Sequence, residues 1–328
     1  MLNGTVNICS LLPSGTEIVF ALGLEDSVVG VTDLCDYPEG ATTKPIVSRS
    51  RINVENLSSA EVEIEMKKIL ESGESPYLVD EELLANLNSD IVLTQDLCYF
   101  CEVDSRTVGN TVANLGLCPE VLVLNPRTVE EILITIERVG ISCGVPMAAE
   151  TLVGDLRDRI ESIVHGIKEV RDRPKVFSIE GVDPLVIGGH WISDVLNIVG
   201  VSAYQSGCDA QRINWDDVVA YAPDKLFIDL CSSNIKRNSR EVSWLVEQKG
   251  WYDLPAVQTG EVYLIDHVYL SRPGPRIVNG LEIIAQLTYP DHFHNLLPAG
   301  AVAKLDTSIM NSTLSKNSSD WFILCESD

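Results

Sequence analysis

Short apolar runs alternate with helix-patterned stretches on both sides of one long amphipathic segment, and this alternation constrains the fold more than any single motif. Before the long segment come VNICSLL, SVVGVT, DIVLTQ and EVLVLN; after it come KVFSIE, KLFIDL and EVYLID. Between them lie GTEIVFALGL, TVEEILITIERVGISCG, HWISDVLNIVGV and PRIVNGLEIIAQLT, whose apolar residues recur at helical spacing. Strand-then-helix order implies parallel strands joined by right-handed crossovers. The long segment, VPMAAETLVGDLRDRIESIVHGIKEVRDRP, places Leu152, Leu156, Ile160, Ile163, Ile167 and Val170 on one stripe between Pro146 and Pro174. A helix of about 25 residues would span roughly 40 Å, which suits a strut between two bodies. The expected fold is therefore α/β: two Rossmann-like lobes with mainly parallel sheets joined by one long rigid helix. The lobes are placed at 1–145 and 174–296, with the linking helix at 146–173. From Leu297 onward periodicity is lost and Ser and Asn accumulate, so 297–328 reads as a mobile tail.

Charge and cysteine content narrow the function. A net charge of −24 and 45% apolar residues describe a well-packed, strongly acidic protein, which phosphate backbones and anionic lipid repel. No apolar run reaches the 18–20 residues or so that a membrane helix needs. Nucleic acid and membrane insertion are thus set aside; the expected partner is a small-molecule ligand, and the expected state a monomer. The first residues, MLNGTVNICSLLPSGTE, lack a basic region followed by an apolar one, and no lipobox is visible. Together with nine cysteines, an odd number, this favours a reducing compartment and free thiols. The expected location is cytoplasmic, or periplasmic or cell-surface if a leader has been removed.

Ligands of open parallel sheets bind beyond the carboxyl ends of the strands, and the chemistry-bearing residues gather in those loops. The first strand leads into PSGTE, where Pro13, Ser14 and Thr16 open a helix whose N–H groups can hold an anion. The second leads into TDLCDYP with Cys35 and Tyr37, and the third, DIVLTQ, into DLCYFC with Cys98, Tyr99, Phe100 and Cys101. In the second half, Gly188-Gly189-His190-Trp191 precedes a helix, KLFIDLC ends on Cys231, and VYLIDHVYLSRPGPR carries Tyr269, Arg272 and Arg276. For Cys35, Cys98, Cys101 and Cys231, inert packing and a thiolate site for zinc or an iron–sulfur cluster both stand open. A thioredoxin-like role fits poorly with Tyr-Phe between the thiols. Cys9, Cys118, Cys143 and Cys208 read as core residues, and His165, His267, His292 and His294 as surface. No GxxxxGK, GxGxxG or Ser-His-Asp order is present.

The halves echo each other. DEELLANLNSDIVLTQDLC (80–98) aligns with NWDDVVAYAPDKLFIDLC (214–231), each with an acidic residue, Glu82 or Asp216, eight positions before an aspartate, Asp90 or Asp224. Helix, strand and Asp-Leu-Cys follow in the same order, as in an internal repeat.

SLLPSGTEIVFALGLEDSVVGVT, DYP, DIVLTQ, the long strut, GGHW and SRPGPRIVNGLEIIA together resemble the Fe/B12 periplasmic-binding family, above all its cobalamin-binding branch of ABC-transporter substrate-binding proteins. The likeness runs over about residues 5–290. It implies two lobes on a rigid helix that clamp a corrinoid, a cobalamin-type ligand, in the inter-lobe cleft without catalysis. Tyr37, Tyr99, Phe100, Trp191 and Tyr269 would then supply apolar faces. Ser14 and Arg272 would reach the amide rim, and His190 or a thiol the cobalt. Glu82 and Asp216 match the family's carboxylates that dock an ABC permease. The chain departs from the pattern in the shorter Asp216, in Asp33-Leu34 where relatives often carry His-Glu, and in Gly181 where they often carry Trp. An alternative from another class is a cytosolic metal- or Fe–S-binding protein on the same fold, using Cys35, Cys98, Cys101 and Cys231. A third is an interaction scaffold with a vestigial cleft.

Overall fold

The computed structural model describes residues 6–96, 105–205, 207, 209–310 and 317–326. The chain divides into two compact units, one formed by Met1–Leu57 and Glu61–Arg157, the other by Ser58–Ala60 and Asp158–Asp328.

The first unit runs β1 (Ile8–Ser10), α1 (Pro13–Ala21), β2 (Val28–Thr32), β3 (Ile46–Ser50), α2 (Ser59–Glu71) and β4 (Tyr77–Val79). It continues through α3 (Glu81–Asn86), β5 (Ile91–Thr94), α4 (Ser105–Asn114), β6 (Glu120–Val123), α5 (Val129–Ser142) and the first part of α6 (Pro146–Gly166). Its six strands lie in the order β4-β3-β2-β1-β5-β6. All neighbours are parallel except β3 and β4. The central strands are buried over their whole length, as a sheet flanked by crossover helices requires. Cys9, Leu11, Val47, Leu84, Val92 and Val108 are part of one core cluster. Local signals set the helix starts. Pro13 occupies the first turn of α1, Asp80 caps α3 by accepting Leu83 N–H at 2.9 Å, and Thr128 caps α5 through Glu131 N–H at 3.1 Å. Gly140 lets α5 and α6 touch, because a Cβ there would stand 2.4 Å from the Ala149 Cβ.

The second unit continues with β7 (Lys175–Gly181), β8 (Val186–Ile187), α7 (Trp191–Val199), β9 (Ser202–Ala203), β10 (Gln211–Arg212), α8 (Trp215–Tyr221) and β11 (Lys225–Ile228). Then come α9 (Ile235–Val246), α10 (Pro255–Gln258), β12 (Val262–Ile265), α11 (Ile277–Thr288), β13 (Val302–Leu305), α12 (Thr307–Met310) and β14 (Phe322–Leu324). The sheet order is β10-β8-β7-β11-β12-β13-β14, with β9 beside β7. Its centre, β7-β11-β12, and the β7–β9 pair are parallel, and the other outer pairs are antiparallel. The core gathers Phe177, Ile179, Leu226, Ile228, Leu245, Leu264 and the fully buried Trp251.

Two expectations are corrected here. Of the expected mobile tail 297–328, the described parts 297–310 and 317–326 are ordered into the fold: β13 pairs with β12, β14 pairs with β13, and Ala303, Leu305 and Trp321 are buried. These strands are three and four residues long, too short to show a period in the sequence. The Ser/Asn-rich part, 311–316, lies outside the described residues. The strut helix also ends earlier than Arg173. It closes at Gly166, where Phe293 packs so near that a Cβ would sit 2.7 Å from its ring. On α6, Ala149, Val153, Leu156 and Ile163 are buried, and Leu152 is half-buried.

Candidate functional site

At the carboxyl end of the first sheet, β1 feeds directly into α1. Ser14 is buried, so the α1 N-terminus offers its backbone to this surface rather than the Ser14 hydroxyl. Thr16 donates its hydroxyl to the Leu12 carbonyl at 3.3 Å and lies 3.0 Å from the Cys35 sulfur. The Cys35 thiol is thus a buried partner of Thr16. Beyond it, Tyr37 is 46% exposed. After β5 the chain passes Asp96, whose N–H donates to Asn125 Oδ1 at 2.7 Å. Cys98, Tyr99, Phe100 and Cys101 lie outside the described residues.

The second unit assembles its loops more tightly. β8 leads into Gly188-Gly189-His190 and then α7. Gly189 packs on the backbone of Asp209 and Ala210, where a Cβ would stand 2.0 Å from the Ala210 nitrogen. His190 follows with φ 51 and ψ −129, a strained conformation for a residue with a Cβ. Its Nδ1 is 3.2 Å from Asp209 Oδ1, and its ring stacks near Trp191 with centroids 5.8 Å apart. Trp191 is 7% exposed and donates its indole N–H to the Leu270 carbonyl at 2.5 Å. It therefore ties α7 to the loop after β12 and offers no free ring face. That loop begins with Asp266, which accepts Val268 N–H at 3.1 Å. It carries Tyr269 and the buried Arg272, and the Arg276 guanidinium stands 5.7 Å over the Tyr269 ring. His190, Trp191, Tyr269 and Arg272 are thus brought to one end of the second unit, where the Trp191 indole hydrogen bond joins two of the loops.

Beneath these loops sits a group that sequence reading missed. Asp229 directly follows β11 and is fully buried. Burial, and next the charge of Glu180, push its carboxyl well above the usual carboxylate range, against opposing hydrogen bonds from Ser178 and its own backbone. Asp229 belongs to the repeated Asp-Leu-Cys, which was the available signal; Asp209 had none. Cys231, two residues on, is partly exposed.

Glu82 and Asp216 are exposed in the first turns of α3 and α8. Of the expected thiolate set, Cys98 and Cys101 lie outside the described residues. Among the described residues no group of three or more His, Cys, Asp or Glu is placed to hold a metal ion. Cys118, expected in a core, is exposed, while Cys9 and Cys143 are buried and burial pushes the Cys9 thiol up to about 12. Cys208 lies outside the described residues. Among the described residues no helix is long and apolar enough to cross a membrane.

Comparison with known proteins agrees with this architecture. The chain is 27% identical to the ABC transporter substrate-binding lipoprotein YvrC of Bacillus subtilis, over 87% of this chain and 81% of that protein. It is 23% identical to a vitamin B12-binding protein of Vibrio cholerae, over 84% of this chain and 86% of the relative. The solved periplasmic vitamin B12 binding protein BtuF of that species superimposes with a TM-score of 0.62 at 20% identity, covering 87% of this chain and 96% of BtuF. The periplasmic heme-binding protein RhuT of Roseiflexus sp. gives 0.67 at 20% identity, over 88% and 99%. Relatives that are periplasmic proteins or a lipoprotein overturn the expectation of a cytoplasmic chain. The periplasmic binding protein family matches residues 8–269, and the chain belongs to that family, whose members here are substrate-binding proteins and not enzymes.

Proposed function

We propose that the protein captures a corrinoid, a vitamin B12-type ligand, and hands it to an ABC permease. The observation that carries this reading is the likeness to vitamin B12-binding relatives along most of both chains. The residues suit it chemically. Tyr37 and Tyr269 offer aromatic surface to a flat macrocycle. The α1 N-terminus and the loop around Arg272 offer donors to the amide groups at its edge. His190, whose Nδ1 lies 3.2 Å from Asp209 Oδ1, offers an imidazole nitrogen to the cobalt. The ligand supplies the metal; the protein supplies shape, donors and one axial nitrogen. Glu82 and Asp216, on exposed first turns of equivalent helices, serve as the permease contacts.

Titration of the purified protein with hydroxocobalamin, followed by absorbance and calorimetry, tests this reading. One-to-one binding at or below about 1 μM, with a spectral shift lost in His190→Ala, is expected. Tight binding of hemin with none of hydroxocobalamin would replace the corrinoid by another metallated macrocycle. Binding of neither would overturn the reading.

A further inference from the structure

Asp229 is a buried acid that neither ligand contact nor docking uses. Its Oδ1 accepts a hydrogen bond from the Ser178 hydroxyl at 2.8 Å, its Oδ2 has no partner, and among the described residues no cation pairs with it. A carboxylate without a counter-charge in such a place is costly and takes up a proton instead. Ser178 in turn supports the glycine loop. Its carbonyl accepts the Gly188 N–H at 3.2 Å, and a Cβ on Gly188 would stand 3.0 Å from its hydroxyl. The Gly188 carbonyl accepts the hydroxyl of Ser193, in the first turn of α7, at 3.4 Å. The contacts thus run from Asp229 through Ser178 and Gly188 to the turn that holds His190 in its strained conformation and starts α7 at Trp191.

We propose that Asp229 is a neutral, protonated positioning residue that, through Ser178, fixes the loop carrying His190 and Trp191. A neutral acid suits this place for two reasons. It can share a hydrogen bond with Ser178 in either direction, and it adds no second negative charge beside Glu180. The effect on ligand affinity rests on the corrinoid reading above; the effect on the loop does not.

The test compares full-length Asp229→Asn, Asp229→Ala, Ser178→Ala and the double variant D229A/S178A. Three readouts apply: the ¹⁵N resonance of the Trp191 indole, assigned by its loss in Trp191→Phe; the infrared difference between the wild type and D229N at neutral pH; and hydroxocobalamin affinity. D229N should keep the Trp191 resonance and change affinity by less than about twofold. The infrared difference should contain the carbonyl band of a protonated acid. D229A and S178A should each move the resonance and weaken binding about tenfold, and the double variant should be no worse than the weaker single one, because both act along one chain of contacts. If D229A fails to fold, D229N and S178A still decide. The proposal falls if D229N disturbs the resonance as S178A does, if the difference spectrum shows only carboxylate bands, or if S178A leaves the Trp191 resonance unmoved. A wild type that ignores hydroxocobalamin sinks the corrinoid reading alone, since the indole and infrared readouts still judge the positioning role.

Discussion

The repeated segment behaves in two ways at its two ends. At the amino ends of β5 and β11 the units are built alike. Asp90 Oδ2 accepts the Asn7 N–H at 2.8 Å, and Asp224 Oδ2 accepts the Lys175 N–H at 2.8 Å. In each case the aspartate fastens the start of a neighbouring parallel strand, β1 or β7. At the carboxyl ends the same tripeptide diverges: Asp96 is exposed, whereas Asp229 is fully buried against Ser178. Bonds that set strand register are alike in the two units, while the carboxyl ends of the same strands are built differently in each.

Four measurements would break or sharpen that contrast, and all five tryptophans, Trp191, Trp215, Trp244, Trp251 and Trp321, lie in the second unit, so their fluorescence reads it alone. The largest expected effect is in the cores. Trp251→Ala should cost about 3–5 kcal/mol in denaturant unfolding followed by the remaining tryptophans, and Leu93→Ala in the first unit about 2–5 kcal/mol by circular dichroism. A loss below about 1 kcal/mol at either site would show a core that closes around the gap.

Acid should act next, on the second unit. Burial pushes the Glu261 carboxyl up, but hydrogen bonds from Lys225, Lys304 and Tyr263, with the Lys225 charge, override this and bring it down to about 2. Its folded value is depressed, so its stabilisation is full above the unfolded value near 4.5 and is lost as pH falls from there toward about 2. With the side chain 24% exposed, the loss should be about 2 kcal/mol after allowance for solvent screening. Glu261→Gln should flatten the tryptophan-detected profile across this window; an unchanged profile would assign the acid sensitivity elsewhere.

The repeated aspartates come third. Asp90→Ala and Asp224→Ala should each cost about 1 kcal/mol, because each removes one exposed hydrogen bond to a backbone N–H. Clearly unequal losses would break the equivalence of the two strand starts. The smallest effect leaves stability untouched: among Cys118, Cys231, Cys35 and Cys9, a thiol reagent followed by mass spectrometry should modify exposed Cys118 before partly exposed Cys231, and both before buried Cys35 and Cys9. Cys35 reacting before Cys231 would contradict their order of burial.

Much of the fold was legible because the central strands are buried on both faces and read as continuous apolar runs. VNICSLL, SVVGVT, DIVLTQ, EVLVLN, KVFSIE, KLFIDL and EVYLID all contain strands of the structure. The strands that escaped notice are short or peripheral. Examples are β4, β8, β10 and β14, whose two to three residues each give pattern reasoning too little to count. The candidate site was legible as a set of loops but not as a set of roles. GGHW marked the right turn, yet nothing in the letters distinguishes a tryptophan that faces a ligand from one whose indole fastens two loops. An aspartate at a strand exit reads as solvated, and only the packing of β7 against β11 shows that Asp229 is enclosed.

The antiparallel pair β13–β14 has a consequence for how the protein is made. Every strand of the first sheet lies within residues 8–123, so that sheet can be complete while the rest of the chain is still being synthesised. The second sheet starts at Lys175 and receives its last strand at Phe322–Leu324. Until that point the β13 edge stands open, with its N–H and C=O groups unpaired. The second unit therefore spends its synthesis with the more vulnerable sheet, and it is there that a chaperone would have the most to hold.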